Sequence, residues 1–136
     1  MTTRIQKSVH LPCDAATAWR YLTDPDALGR WFHPAKATLK DGEDFTLVSQ
    51  KDGERMCYGR VLEMQAPTYM KWDFSVGPLN GHMTTVEWRI TDTPGGVCLS
   101  LDHTGLPDSA KAYGLVLALD KGWHGFLMAL RNAAEE

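Results

Sequence analysis

No stretch of this 136-residue sequence approaches the roughly eighteen consecutive apolar residues that a membrane helix needs, so no spanning segment is expected. Met1–Leu11 is polar, and no signal peptide is expected there. Cysteine is scarce. Cys13, Cys57 and Cys98 are odd in number and far apart, which argues against a disulfide framework and suits a reducing cytoplasm. There is no Cys-x-x-Cys and no His-x-x-x-His, and His10, His33 and His82 have no partner at ligand spacing, so no metal site is expected. Gly95 and Gly96 belong to a hairpin rather than a phosphate loop, and no serine sits in a Gly-x-Ser-x-Gly elbow. No cofactor is therefore expected. Basic clusters are missing as well. Fourteen basic and 17 acidic residues leave a net charge of −3, with no electrostatic footprint for nucleic acid or an anionic membrane.

What is present reads as one globular domain. Hydrophobic residues make up 43% of the chain and charged ones 23%, and no repeat or linker divides it. The organising stretch is Ala110–Ala134. Val116, Leu119, Trp123, Leu127 and Leu130 recur at helical spacing, Phe126 widens the stripe, and Lys111, Lys121 and Arg131 lie opposite. Gly114, Gly122 and Gly125 weaken this helix, so an irregular first part is expected. Glu135 and Glu136 oppose the macrodipole and should fray its end.

Earlier in the chain, a strand over Arg4–Leu11 keeps Ile5, Val9 and Leu11 on one side, with Lys7 as a polar interruption. Asp14 can cap a short helix through Trp19 and Leu22. A second short helix starts at Pro25 and ends by Pro34. Strands follow, compatible with Ala35–Leu39, Phe45–Gln50, Arg55–Met64, Tyr69–Val76, Met83–Thr91 and Val97–Thr104, with turns at Asp41-Gly42, Asp52-Gly53 and Pro94-Gly95-Gly96. Gly59 marks a bulge or a close backbone approach. Parity turns Met70, Trp72, Phe74 and Val76 inward, with Val86, Trp88 and Ile90, and with Val97, Leu99, Leu101 and His103. Phe45 and Leu47 join them. Arg55–Met64 has no clean alternation, and its facing stays open.

These pieces resemble a known family. Ala18-Trp19, Leu22-Thr23-Asp24-Pro25 and Arg30-Trp31-Phe32 are similar to the opening of the START-like (SRPBCC) superfamily, in the branch of the C-terminal domain of the activator of heat-shock-protein-90 ATPase. Gly59-Arg60-Val61-Leu62-Glu63, Tyr69-Met70-Lys71-Trp72, the run from Gly95 to Gly105, and Gly122-Trp123 resemble its later motifs in the same order. Val97 departs from the usual Thr, and the Gly77–His82 loop does not align. The resemblance implies an α+β helix-grip fold over residues 1–136. In that fold a bent antiparallel sheet wraps a long C-terminal helix, with two short helices after the first strand and a cavity between sheet and helix. It does not imply one function.

The candidate ligand-binding residues are Trp31, Trp72, Phe74, Trp88, Leu101, His103, Trp123 and Leu127, an apolar set with one polar handle. The same rings could instead plug the cavity, since each buries roughly 150–250 Å². The favoured expectation is a cytoplasmic module that binds a small hydrophobic or aromatic molecule, with no catalytic residue assigned. One alternative is a cyclase- or hydrolase-like enzyme with His103 as acid/base. His103 could equally be a satisfied core histidine, and Asp102 points to the opposite face and cannot orient it. His124 falls at the edge of the helical stripe and reads as a flank residue. Another alternative is a chaperone-cofactor-like interaction protein. A homodimer is left open.

Overall fold

The structure, a computed structural model, describes residues 3–135. Six strands form one antiparallel sheet: β1 Thr3–Leu11, β2 Asp44–Val48, β3 Arg55–Gln65, β4 Tyr69–Val76, β5 Thr84–Thr93 and β6 Gly96–Leu106. Their order across the sheet is β1-β6-β5-β4-β3-β2. Two short helices, α1 Ala15–Thr23 and α2 Pro25–Leu28, follow β1, and the long helix α3 Tyr113–Ala134 closes the chain. This is the helix-grip arrangement. No helix among the described residues is long and apolar enough to cross a membrane.

Local chemistry sets the boundaries. The Asp14 carboxylate accepts from the Thr17 N–H and starts α1. Asp24 does the same for α2 through Ala27, with Pro25 in the first turn. α2 stops at Leu28 with Gly29 as its cap, earlier than the expected end near Pro34. The Trp31 indole N–H then donates to the Tyr21 carbonyl at 2.8 Å and holds the ring beneath α1. Ala35–Leu39 is not a strand. Ala35 makes one bridge to Leu47, and the chain then leaves β2 so that the Leu39 N–H reaches the Thr23 carbonyl. A single 3₁₀ turn, Ala110–Ala112, precedes α3, so the irregular start is confined to that turn. At the far end Arg131 pairs with Glu135 at 3.2 Å, a contact that opposes fraying there, while Glu136 lies outside the described residues.

The inward parity holds except at the end of β4, where Val76 is half-buried against the core and Ser75, on the other side, is fully buried. Met70, Trp72, Phe74, Val86, Trp88, Ile90, Val97, Leu99, Leu101 and His103 are buried, as are Phe45 and Leu47. β3 lacks alternation because its register shifts between Val61 and Glu63, leaving Leu62 outside the pairing and exposed. Cys57 and Val61 face in before the shift, and Met64 packs on the core after it. Lys7, the polar residue on the inner side of β1, reaches Asp120 on α3 at 3.1 Å. The opposite face of the sheet is polar and self-paired. Arg4 makes two 2.8 Å bonds to Asp102, and Glu87 accepts from Tyr69 and Arg89.

Two glycines make opposite predictions. A Cβ at Gly59 would collide with the Asp73 carbonyl on β4, whereas one at Gly125 would meet nothing. Gly59→Ala should lower stability by about 1–3 kcal/mol through forced strand separation. Gly125→Ala should raise it by about 0.5–1 kcal/mol through helix propensity. Urea unfolding midpoints of the two variants check both.

Candidate functional site

The space between sheet and α3 is largely filled by rings. Trp72 sits 4.9 Å from Phe45, 6.1 Å from Phe74 and 5.4 Å from Trp88 between centroids. Trp88 lies edge-on to Trp31 at 6.0 Å and to Trp123 at 5.6 Å. The edge-to-face and offset geometries are the favourable ones for aromatic pairs. In front of this stack a cleft of about 260 Å³ stays open.

The cleft is built by four parts of the chain. α3 contributes Leu115, Ala118, Leu119, Gly122, Trp123 and Phe126. β3 contributes Met56 and Cys57, and β4 with its following turn contributes Phe74, Val76 and Pro78. Phe32 and His33, just beyond α2, close the remaining side. Among the described residues, no Asp, Glu, Lys or Arg lines it. Its two titratable groups are both pushed toward neutrality by burial: His33 is shifted down and the Cys57 thiol up to about 12. At neutral pH the lining is uncharged, and it suits an uncharged apolar guest.

Of the eight residues expected from the sequence, Phe74 and Trp123 reach the cleft. Trp31, Trp72, Trp88, Leu101 and Leu127 lie in the closed core. His103 is fully buried and does not line the cleft. The Trp123 indole donates to its Nδ1 at 3.0 Å. An indole can only donate, so a neutral His103 carries its proton on Nε2. Nε2–H then donates to Thr84 Oγ1 at 2.7 Å, and that hydroxyl donates to the Phe74 carbonyl at 2.7 Å. Both ring nitrogens are occupied, and burial drives the imidazole pKa down to about 4 against the weaker opposing pull of Asp102. Of the two readings of His103, this geometry supports the satisfied core histidine over the acid/base, since both ring nitrogens are bonded away from the cleft. Among the described residues no group of three His, Cys, Asp or Glu side chains could hold a metal ion.

The other buried indoles divide sharply. Trp31 is paired with a backbone carbonyl, whereas Trp72 Nε1 and Trp88 Nε1 have no hydrogen-bond partner among the described residues. An unpaired buried donor costs about 1–3 kcal/mol.

Every other lining residue was missed as a site residue, among them Phe32, His33, Met56, Leu115, Leu119 and Phe126. A signal existed on α3. Leu115, Leu119, Gly122 and Phe126 follow helical spacing beside the Trp123 stripe, on the flank that remains half-buried.

His103 also sets a pH dependence. Unfolding restores an imidazole near pKa 6.5, while the folded value is about 4. Between those values the unfolded chain binds a proton that the folded chain refuses. The stabilising difference is therefore fully present above about pH 6.5 and is lost as pH falls toward 4, by about 3 kcal/mol, with His33 adding in the same sense. His103→Leu should cost about 1–3 kcal/mol at pH 7 by orphaning the Trp123 N–H. It should also flatten the profile. Urea midpoints at pH 7 and 4.5 check this, and an unflattened profile would assign the dependence elsewhere.

The comparisons agree with this architecture. The crystal structure of protein SSP2350 from Staphylococcus saprophyticus superposes with a TM-score of 0.82 at 11% identity, covering 98% of this chain and 92% of that one. The solution structure of the Aha1 dimer from Colwellia psychrerythraea gives 0.81 at 14% identity, covering 98% and 96%. DynU16, from the dynemicin biosynthetic locus, gives 0.79 at 21% identity, covering 97% of this chain and 47% of that one. At such identities the likeness is one of fold. A comparison with curated proteins finds no match. Residues 12–135 match the profile of the family described as "Activator of Hsp90 ATPase homolog 1-like protein". The chain belongs to that family, on the START-like side of protein architecture.

Proposed function

We propose that this protein binds a small, uncharged, apolar or aromatic molecule in the cleft between α3 and the β3–β4 edge of the inner face. The observation that carries the reading is the cleft itself: about 260 Å³, walled by aromatic and aliphatic side chains, with no charged side chain on its lining among the described residues. The volume is slightly below the roughly 300–1,000 Å³ usual for small-molecule sites, which suits a compound of two or three fused rings. The origin of DynU16 in a biosynthetic locus is compatible with a small-molecule role for this fold. No catalytic group is assigned, because among the described residues His33 and Cys57 are the only titratable side chains on the lining and neither has a partner of opposite charge there. The dispersed, unpaired cysteines support a cytoplasmic location, and the dimeric Colwellia structure supports a homodimer as a further proposal.

The test uses tetralin, a fused bicycle with no polar atom, followed by tryptophan fluorescence as Trp123 responds. Gly122 lines the cleft, and a Cβ there would meet only the edge of Phe126. Gly122→Leu should weaken tetralin binding at least tenfold while leaving the fold at least as stable, since Leu is the better helix former. Equal affinity in the variant would move the site elsewhere, and no saturable binding to the wild type would end the reading.

A further inference from the structure

Trp72 and Trp88 are both fully buried, and their indole N–H groups are the buried side-chain polar atoms without a hydrogen-bond partner among the described residues. Native cores rarely leave such donors idle, and each instance asks for an explanation. The contrast within one cluster is sharp, because Trp31 donates to the Tyr21 carbonyl and Trp123 to His103.

The two idle donors stand one ring behind the cleft wall. Trp72 lies against Phe74 at 6.1 Å and 26°, and Trp88 lies against Trp123 at 5.6 Å and 81°. The wall is not equally firm. Trp123 is tied to His103 by its N–H, but Phe74 and Phe32 have no polar side-chain atom to anchor them. Phe32 belongs to neither sheet nor helix. It follows α2 and is held through its ring contacts with Trp31, His33, Phe74, Trp123 and Phe126. The Phe74 ring also packs edge-on to His103 at 5.6 Å, so displacing Phe32 and Phe74 would join the cleft to the Trp72–Trp88 layer with loss of that contact.

We infer that the guest carries a hydrogen-bond acceptor on its edge, a ring carbonyl or ether oxygen, which passes the Phe32–Phe74 wall and accepts from the indole N–H of Trp72 or Trp88. The inference rests on the cleft being the binding site and adds the chemical class of the ligand. An acidic group is excluded because nothing on the lining could pair it, and a donor-only guest would leave both indoles idle.

Tetralin and 1-tetralone differ by a carbonyl in place of a methylene, so the ratio of their dissociation constants isolates the acceptor. Against the wild type, the Trp72→Phe, Trp88→Phe double variant should lose about threefold to tenfold of its relative preference for tetralone, the worth of one hydrogen bond. Trp31→Phe, whose indole is already paired, should leave the ratio unchanged. Because the double variant removes two core indoles, a second measurement uses the unmodified protein. In ¹H–¹⁵N spectra, saturating tetralone should move the Trp72 or Trp88 indole resonance downfield and tetralin should move neither, with the Trp31 resonance fixed under both. Tetralin binding with a ratio that ignores both indoles, or indole shifts shared by the two compounds, overturns this inference and leaves the cleft standing. Failure of both compounds to bind overturns both.

Discussion

One hydrogen bond inside the ring cluster sets the rest: the Trp123 indole on α3 donates to His103 on β6. Apolar packing between a helix and a sheet is non-directional and tolerates rotation of the helix about its axis. A directional bond between fully desolvated groups does not. By fixing the Trp123 ring, it fixes which flank of α3 turns outward, and that flank carries Leu115, Leu119, Gly122 and Phe126 along the cleft. The bond also sets the histidine tautomer, and the proton on Nε2 extends the chain through Thr84 to the backbone of β4. Helix, last strand, fifth strand and fourth strand are thus tied by three consecutive polar contacts in an otherwise apolar core.

The question of a plugged or open interior has a divided answer. Behind Phe74 and Trp123 the tryptophans pack edge to face and close the space. In front of them the same two rings form the wall of an uncharged cleft. Charge is concentrated on the outer face of the sheet, where Arg4, Asp102, Glu87 and Arg89 satisfy one another. Exposed pairs of this kind add little to stability. They give the molecule a solvated back and leave its apolar opening on the helix side.

Period and parity made most of the fold legible. The 3.6-residue stripe of Val116, Trp123, Leu127 and Leu130 is buried in α3, and the two-residue alternation in β4, β5 and β6 names the inner face correctly. β3 resisted because the register shift at Leu62 breaks the alternation partway, and such a shift has no compositional mark beyond Gly59 nearby. For the site, the inward direction of His103 was readable, but its partners were not: Trp123 lies twenty residues away and Thr84 nineteen, and only the tertiary fold brings them together. Phe32 and His33 were missed for a similar reason. They sit in a short irregular segment whose direction is set by the Trp31 bond to Tyr21, not by any period.

The central claim is that a guest sits against the half-buried flank of α3, and intermolecular nuclear Overhauser effects in the tetralin complex test it most directly. The account predicts contacts from tetralin protons to the methyl groups of Met56, Leu115 and Leu119 and to the Phe126 ring. Contacts confined to Tyr113, Leu117 and Met128, the exposed apolar residues of α3 that lie off the cleft, would contradict it.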